Sequence, residues 1–268
     1  MTTEPLADYT DILYEVEDTT AIVTINRPDR YNAFRAGTVE ELISAFRRAW
    51  ADKKIRCIIL TGAGEKAFCS GGDVKQRAET GDYGPTKSGM FEIDYFHKLI
   101  RDVPKPVIAA VNGVAVGGGH VLHVLCDVTI AAEHARFGQA GPRVGSFDAG
   151  FGAAYLARVV GEKRAREIWY FCRQYTAQEA ERWGLVNKVV PGEELMAEAR
   201  RWAQEISEKS PTAIKFLKYA FNTDTEHQAG LANMASAGLE LFVSTPEGRE
   251  GAAAFVEKRP PEFSRYVE

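Results

Sequence analysis

The pattern of apolar and polar positions divides the chain into a strand-rich first part and a helix-rich last part. Two β-rich segments joined by a short polar link, residues 11–16 and 20–26, predict a hairpin. Three later runs, at 55–61, 106–113 and 126–132, are apolar without alternation, which is typical of strands buried on both faces. Helical segments between these runs predict βαβ units with right-handed crossovers.

The intervening segments predict helices and one long loop. Helical periodicity over 38–51 begins at Thr38, and Glu41 follows three residues later, which predicts a capping box with Thr38 as the N-cap. The polar, glycine-containing stretch 74–88 predicts a mobile loop, and 89–102 predicts a helix that ends before a proline.

Composition narrows the class of protein. The chain has 268 residues, of which 45% are hydrophobic and 26% charged, so it can bury a core without disulfides or metals. From about residue 152 the pattern is almost wholly helical, which predicts an α/β core of about 190 residues and a helical tail. A net charge of -4 gives no basic face for nucleic acid.

The sequence also predicts where the protein works. Its N-terminus lacks the basic and apolar regions of a signal peptide, and no apolar run reaches about 18 residues. The four cysteines show no metal-ligand spacing. We expect a cytoplasmic protein that binds neither nucleic acid nor membrane.

Two glycine clusters carry the first candidate chemistry. Gly71 and Gly72 follow one buried strand, whereas Gly117, Gly118 and Gly119 follow another and open a helix. Glycine leaves backbone N–H groups accessible, and a helix N-terminus favours negative charge, so the clusters predict an oxyanion hole. Alternatively, these glycines only permit tight turns or close packing. Neither cluster matches a phosphate-binding P-loop.

Four motifs in order, at 25–34, 67–73, 104–119 and 126–139, resemble the crotonase (enoyl-CoA hydratase/isomerase) superfamily. The tail at 250–263 extends the resemblance to nearly the whole chain. It implies an α/β fold, with a crotonase-like ββα spiral core that carries the acyl-CoA site and a C-terminal helical region for trimerisation and a pocket lid. It further implies a homotrimer or homohexamer, a coenzyme A thioester as substrate and no tightly bound cofactor.

The boundaries that follow from this resemblance are 1–195 for the spiral core and 196–268 for the helical region. The family's oxyanion donors fall on the backbone N–H groups of Gly72 and Gly118. The two glutamates of the hydratases fall on Val121 and Gly141, which cannot transfer protons. The residues at these two positions therefore argue against hydration by the usual glutamate pair, and a relocated base is the alternative.

The segment 138–175 resembles the subgroup that contains 1,4-dihydroxy-2-naphthoyl-CoA synthase and 2-ketocyclohexanecarboxyl-CoA hydrolase. Both make or break a carbon–carbon bond β to the thioester through an enolate. Ser146 and Asp148 match residues that this subgroup places in the active site, where a hydroxyl donates to a substrate carbonyl and a carboxyl moves a proton. On spacing alone, Asp148 also fits a residue that caps a turn.

The glycine at position 141 suggests that an anion binds beside it. Some naphthoate synthases with this glycine bind bicarbonate in place of a carboxylate, and the resemblance assigns its ligands to Gln139 and Trp169. Alternatively, these two side chains only pack. His120 and His123 share a helix face, but with no third ligand evident they predict packing rather than a metal site.

The resemblance assigns further substrate contacts to several side chains. Lys75 and Arg77 match basic residues of the acyl pocket, where an arginine can hold a carboxylate. Phe255 and Lys258 match positions that reach the coenzyme A of a neighbouring subunit. The other predicted substrate-binding residues are Arg30, Ala33, Tyr83, Val121 and Val243.

The chain departs from the subgroup pattern at two positions, which weakens the synthase assignment more than the resemblance to the subgroup. Val243 stands where both subgroup enzymes use a C-terminal tyrosine, and Thr86 stands at a loop tyrosine of the synthases. Tyr83, Tyr219 and Tyr266 are the candidate replacements. The favoured function is ring-opening hydrolysis of a cyclic β-ketoacyl-CoA. The alternatives are the synthase reaction, another hydratase/isomerase-family activity and a non-catalytic acyl-CoA-binding homologue.

Overall fold

The computed structural model describes residues 9–80, 83–84 and 86–266. Within these ranges the strands are β1 (Ile12–Glu17), β2 (Thr20–Ile25), β3 (Cys57–Gly62), β4 (Ala67–Cys69), β5 (Val107–Val111), β6 (Val114–Val116), β7 (Val128–Ala132), β8 (Arg136–Gly138), β9 (Gln174–Thr176) and β10 (Lys188–Val190). They form two sheets, one in the order β1-β2-β3-β5-β7-β10 and one in the order β4-β6-β8-β9.

The helices over the same ranges surround these sheets. They are α1 (Ala36–Ala51), α2 (Val74–Thr80), α3 (Ile93–Asp102), α4 (Gly118–Leu125), α5 (Leu156–Val160), α6 (Glu162–Phe171), α7 (Ala177–Arg182), α8 (Leu195–Ser207), α9 (Pro211–Thr223), α10 (Gln228–Val243) and α11 (Pro246–Glu257). A π-helical turn, Phe151–Tyr155, precedes α5. None of these helices in the described chain is both long and apolar enough to cross a membrane.

Successive turns of the chain each give one strand to each sheet, which is the geometry of a ββα spiral. One turn contributes β3 and β4, the next contributes β5 and β6, and the third contributes β7 and β8. Strands from neighbouring turns pair in parallel within both sheets. The three predicted apolar runs become β3, β5 and β7, which are almost wholly buried. The predicted hairpin is also present, with Glu17 paired to Thr20. The α/β fold class with a C-terminal helical region is confirmed.

Three local predictions were wrong. Helix α1 begins at Ala36 with Arg35 as the N-cap, and Thr38 is the third helical residue, whose hydroxyl donates to Asp11 Oδ2 at 2.6 Å. Glu41 instead accepts the Asp11 N–H at 2.8 Å. The predicted box failed because these side chains bind the start of the hairpin, which is distant in sequence.

The predicted loop 74–88 contains helix α2, and the next helix begins at Ile93 rather than at residue 89. Asp73 explains the first difference, since its Oδ1 accepts the Gln76 N–H at 3.2 Å and so caps α2. The region after residue 152 is mostly helical, as predicted, apart from two short strands. It contains β9 and β10, because each strand pairs with a distant one, β8 or β7.

The last two helices pack on the first part of the chain. Helix α10 lies against α3 and the π-helical turn, and α11 lies against α2 and the 3-10 turn Gly141–Val144. A side chain at Gly145 would meet the backbone of Gly248, and one at Gly251 would meet the backbone of Gly145. The three glycines therefore allow α11 to approach that turn closely.

Candidate functional site

A cavity of about 540 Å³ opens between the spiral core and helices α10 and α11. Most of the residues predicted for the site line it, namely Arg30, Ala33, Gly72, Lys75, Arg77, Tyr83, Gly118, Val121, Gln139, Gly141, Ser146, Asp148, Trp169 and Phe255. Val243 and Lys258 do not belong to its lining. The fold thus brings residues from almost the whole length of the chain to one space.

One wall of the cavity consists of backbone N–H groups at the ends of β4 and β6. Gly118 is the first residue of α4, and Gly117 before it has a φ of 56°, which favours glycine. Phe34 forms an isolated parallel bridge with Gly72, in which the Phe34 N–H donates to Gly71 O at 2.8 Å. The Gly72 N–H takes no part in this bridge. Among the described residues, neither the Gly72 nor the Gly118 N–H has a hydrogen-bond partner. Both are available to an oxyanion.

A buried ion pair holds this wall against the turn that follows β2. The Arg27 guanidinium lies 3.0 Å from Asp73 Oδ2 and also donates to the Ala33 carbonyl. The Asp73 N–H donates to Phe34 O at 2.9 Å. Because Asp73 directly follows Gly72, these contacts fix the position of the Gly72 N–H relative to Ala33. Arg30 is exposed at the edge of the same turn.

Tyr83 covers the Gly72 side of the wall. A Cβ atom at Gly72 would lie 2.7 Å from the Tyr83 hydroxyl, so only glycine allows this contact. The ring stacks on Phe91 with a centroid distance of 4.5 Å, and Arg77 Nη1 donates to the hydroxyl at 3.4 Å. Lys75 is exposed nearby. The structure therefore places one phenol and two cations at the entrance to the backbone wall.

Asp148 also lines the cavity, on the loop that follows the 3-10 turn Gly141–Val144. Its Oδ1 accepts the Gly150 N–H at 2.9 Å, and a Cβ atom at Gly152 would lie 2.6 Å from its Cγ. Burial raises the pKa of the carboxyl to about 6, the N–H groups of Gly152 and Gly150 oppose that rise, and the Asp94 charge adds to it. A carboxyl with this pKa exchanges protons near neutral pH. Ser146 lies two residues earlier, on the same loop.

The predicted anion ligands lie together, but their donors are largely occupied. Trp169 Nε1 donates to Gly152 O at 2.7 Å, and Gln139 Nε2 lies 3.3 Å from His120 Nδ1. A Cβ atom at Gly141 would lie 2.9 Å from the Trp169 ring, so this ring fills the space beside the glycine. These residues do not offer the two donors that the resemblance implies for bicarbonate. The anion site remains a prediction, and no step below depends on it.

The C-terminal candidates differ in their place relative to the cavity, and the contacts of Phe255 and Lys258 with the coenzyme A of a neighbouring subunit stay predictions. Phe255 lines the cavity of its own chain, because the glycine contacts described above bring α11 across it. The C-terminal tyrosine candidates Tyr219 and Tyr266 are absent from the described lining, which contains Tyr83 and, on its exposed edge, Tyr31. Val243 ends α10 away from the cavity, and Lys258 is exposed after α11.

The polar residues of the cavity that sequence reasoning missed include Asp94 and His97 on α3 and Ser236 on α10. A signal for two of them was present, because Asp94 and His97 are three residues apart in an amphipathic helix whose apolar residues are buried. Ser236 gave no such signal, since it reaches the cavity only through the packing of α10 on α3.

The buried histidines are neutral. Burial lowers the pKa of His120 to about 3 and that of His123 well below its ordinary value. Their rings pack at a centroid distance of 4.8 Å, and His123 also packs on Phe137. Within the described ranges, no group of three or more histidine, cysteine, aspartate or glutamate side chains could hold a metal ion.

Solved structures share this fold over almost the whole chain. An enoyl-CoA hydratase from Mycobacterium avium subsp. paratuberculosis K-10 is 29% identical, with a TM-score of 0.83 over 95% of this chain and 98% of that one. An enoyl-CoA hydratase from Bacillus anthracis is 33% identical, with a TM-score of 0.73 over 94% and 98%. An enoyl-CoA hydratase/isomerase from Xanthobacter autotrophicus Py2 is 32% identical, with a TM-score of 0.78 over 97% and 100%.

The sequence itself matches the family described as enoyl-CoA hydratase/isomerase over residues 15–266. That match includes both glycine clusters and the Asp148 loop, and it accounts for a cavity with two free backbone donors at the ends of paired strands. Members of this family act on acyl-CoA substrates. The chain belongs to the enoyl-CoA hydratase/isomerase family, the crotonase superfamily.

Proposed function

We propose that the protein hydrolyses a carbon–carbon bond β to the thioester of an acyl-CoA, and that its substrate is a cyclic β-ketoacyl-CoA. One arrangement carries the proposal. Asp148, a carboxyl with a pKa near neutrality, shares a cavity with the free N–H groups of Gly72 and Gly118. The two positions that hold glutamates in hydratases are occupied by Val121 and Gly141.

The reaction then has three steps. Ionised Asp148 takes one proton from water while the oxygen of that water adds to the ring ketone, which Ser146 holds by a hydrogen bond. The bond between the former ketone carbon and Cα breaks, and its electron pair moves to the thioester as an enolate. The Gly72 and Gly118 N–H groups stabilise that enolate oxygen. Protonated Asp148 then gives its proton to Cα and is ionised again, and the product is a ring-opened thioester with a new carboxylic acid.

The proposal is tested with 2-ketocyclohexanecarboxyl-CoA in oxygen-18-labelled water. We expect a ring-opened acid that carries one labelled oxygen in the new carboxyl group and an intact thioester, and we expect Asp148→Asn to abolish its formation. Asp102→Asn is the matched control, because Asp102 is an exposed aspartate paired with Lys98. Release of free coenzyme A instead would show thioester hydrolysis and would refute the proposal.

Water addition to an enoyl-CoA is a second candidate, in which Asp148 replaces the missing glutamates. It is supported by the presence of this carboxyl in the cavity and by the names of the similar structures, which are enoyl-CoA hydratases. The test is hydration of crotonyl-CoA, which is measured as the loss of absorbance of the conjugated thioester. Turnover of crotonyl-CoA without turnover of the cyclic substrate would favour this candidate.

Ring closure of succinylbenzoyl-CoA is the third candidate, and the Tyr83 hydroxyl beside Gly72 supports it as a possible replacement for the tyrosine missing at Val243. It is tested with and without bicarbonate, since activation by bicarbonate would also support the anion site. Binding of coenzyme A thioesters without turnover of any of the three substrates would instead indicate a non-catalytic homologue.

A further inference from the structure

Asp94 on α3 gives the cavity a carboxyl group that the proposed reaction does not use. The hydroxyl of Ser236 on α10 donates to its Oδ2. The other oxygen, Oδ1, accepts no hydrogen bond from the described residues. Asp94 is half-buried, and the fully buried side-chain atoms without a partner in the described chain do not include Oδ1. This oxygen is therefore an accessible acceptor on a side chain that lines the cavity.

The packing of α10 places this carboxyl group close to the loop that holds Asp148. A Cβ atom at Gly150 on that loop would lie 2.5 Å from Ala232 Cα, so α10 touches the loop there. Ser236 follows Ala232 by four residues, which puts the two on one face of the helix, and both line the cavity. Because Ser236 binds Asp94, the free oxygen meets the cavity near the loop on which the ketone is proposed to react.

No cation of the described chain is paired with Asp94. The two basic residues that follow it on α3 are engaged elsewhere. Lys98 pairs with Asp102 at 3.1 Å, and Arg101 donates to Thr225 Oγ1 at 2.7 Å. The serine hydroxyl on α10 is thus the hydrogen-bond partner that the described chain gives this carboxyl group, and it occupies one of the two oxygens.

The rest of the lining that α3 and α10 provide is mostly apolar. Besides Asp94 and Ser236 it consists of Ile93, His97, Ala232, Ala235 and Leu239. The Nε2 atom of His97 is fully buried and does not reach the cavity. In such surroundings a ligand that donates a hydrogen bond to the free carboxyl oxygen binds better than one that leaves this oxygen desolvated and unpaired.

We propose that Asp94 determines specificity by accepting a hydrogen bond from a hydroxyl group on the acyl part of the substrate. The substrate is then a ring that carries a hydroxyl group in addition to the ketone, and the inference rests on the proposed function for that ring and ketone. Ser236 is a positioning residue, because its hydroxyl holds the other carboxyl oxygen. An ammonium group would also donate to Asp94, but burying a charged group among apolar side chains costs more than burying a neutral hydroxyl.

The test measures the binding of thioesters that lack the ketone and therefore cannot undergo ring opening. Isothermal titration calorimetry gives the dissociation constants of cyclohexanecarboxyl-CoA and of its ring-hydroxylated isomers. We expect one hydroxylated isomer to bind the wild type about 10- to 100-fold more tightly than the unsubstituted thioester, which is the usual effect of a hydrogen bond to a charged group.

Three variants locate the origin of this preference. Asp94→Leu removes the acceptor and should abolish the preference, while its continued binding of the unsubstituted thioester shows that the variant folds. Ser236→Ala should reduce the preference without abolishing it, because the carboxyl group stays but is held less firmly. Asp102→Leu, at the exposed end of the same helix, is the matched control and should keep the full preference.

Equal binding of the unsubstituted and all hydroxylated thioesters by the wild type would overturn the inference, and so would a preference that persists in Asp94→Leu. Because the measurement needs no turnover, it is independent of the proposed function. A preference that depends on Asp94, together with no ring opening of 2-ketocyclohexanecarboxyl-CoA, would reject the proposed function alone. Ring opening without such a preference would reject the role of Asp94 alone.

Discussion

The two walls of the cavity are built in different ways. The wall at Gly72 and Gly118 uses backbone N–H groups that stay the same at any pH, and the loop and helix that carry them are fixed by the bridge to Phe34. A second part of the lining, the titrating wall, uses the side chains of Asp94, His97 and Asp148, which come from distant elements and change with protonation. The first wall therefore sets how well negative charge is stabilised, whereas the second sets the pH at which protons move.

The largest effect is expected on the titrating wall. Asp148→Asn should lower kcat/KM on the cyclic β-ketoacyl thioester by about 10²- to 10⁴-fold, because the amide cannot accept a proton from water. The wild type should also lose activity as the pH falls below about 6, since protonated Asp148 is not a base. Steady-state rates between pH 5 and pH 8 test both points. A variant that keeps wild-type rates would place the base elsewhere.

On the backbone wall, Gly118→Ala should lower kcat/KM by about 10²- to 10³-fold, as loss of one oxyanion donor does. The added Cβ would lie 2.6 Å from Phe34 Cζ, so the ring or the N–H must move. The loss should be equal at all pH values, which is the contrast with Asp148→Asn. Gly37→Ala is the matched control, because a Cβ there meets nothing within 4 Å.

The difference between the walls also explains what was predictable. The glycines of the backbone wall follow apolar strands, so local sequence identified the two clusters as a candidate oxyanion hole, and the family resemblance assigned the donors to Gly72 and Gly118. Asp148 was found only through its resemblance to a known subgroup. Asp94 and Ser236 were missed, because they meet through the packing of α3 and α10, which are about 140 residues apart.

The failed local predictions have the same physical origin. Thr38 has the spacing of an N-cap, but its hydroxyl binds Asp11, a residue of the neighbouring strand region. Strands β9 and β10 are three residues long, too short for a periodic signal, and they form because β8 and β7 already present open edges. Tertiary contacts overrode the local pattern in each case.

The titrating wall should also affect stability. The pKa of Asp148 is raised on folding, so its contribution favours the folded state at low pH and is lost as the pH rises towards about 6. Asp148→Asn removes this loss of stability at higher pH, because the amide does not ionise. We therefore expect the variant to gain about 2 kcal/mol in the free energy of unfolding over the wild type at pH 8, and little below pH 4.

Urea denaturation at both pH values measures the difference. Asp102→Asn is again the matched variant, because this exposed aspartate lies on α3 outside the cavity. An equal effect of Asp148→Asn at pH 4 and pH 8 would contradict the raised pKa and, with it, the separation of the two walls by their response to pH.

The smallest effect is expected at the entrance, where the two walls meet solvent. Arg77→Ala removes a guanidinium that lines the cavity and donates to the Tyr83 hydroxyl. Since the group is partly exposed, we expect KM for coenzyme A thioesters to rise only about 2- to 5-fold, with kcat nearly unchanged. The rise should shrink in high salt, because screening already weakens the wild-type attraction.

Lys54→Ala, which removes a cation outside the cavity, is the control and should leave KM unchanged. A large fall in kcat for Arg77→Ala would instead show that Arg77 acts through Tyr83 on the Gly72 side of the backbone wall, and the entrance would then belong to the catalytic part of the cavity.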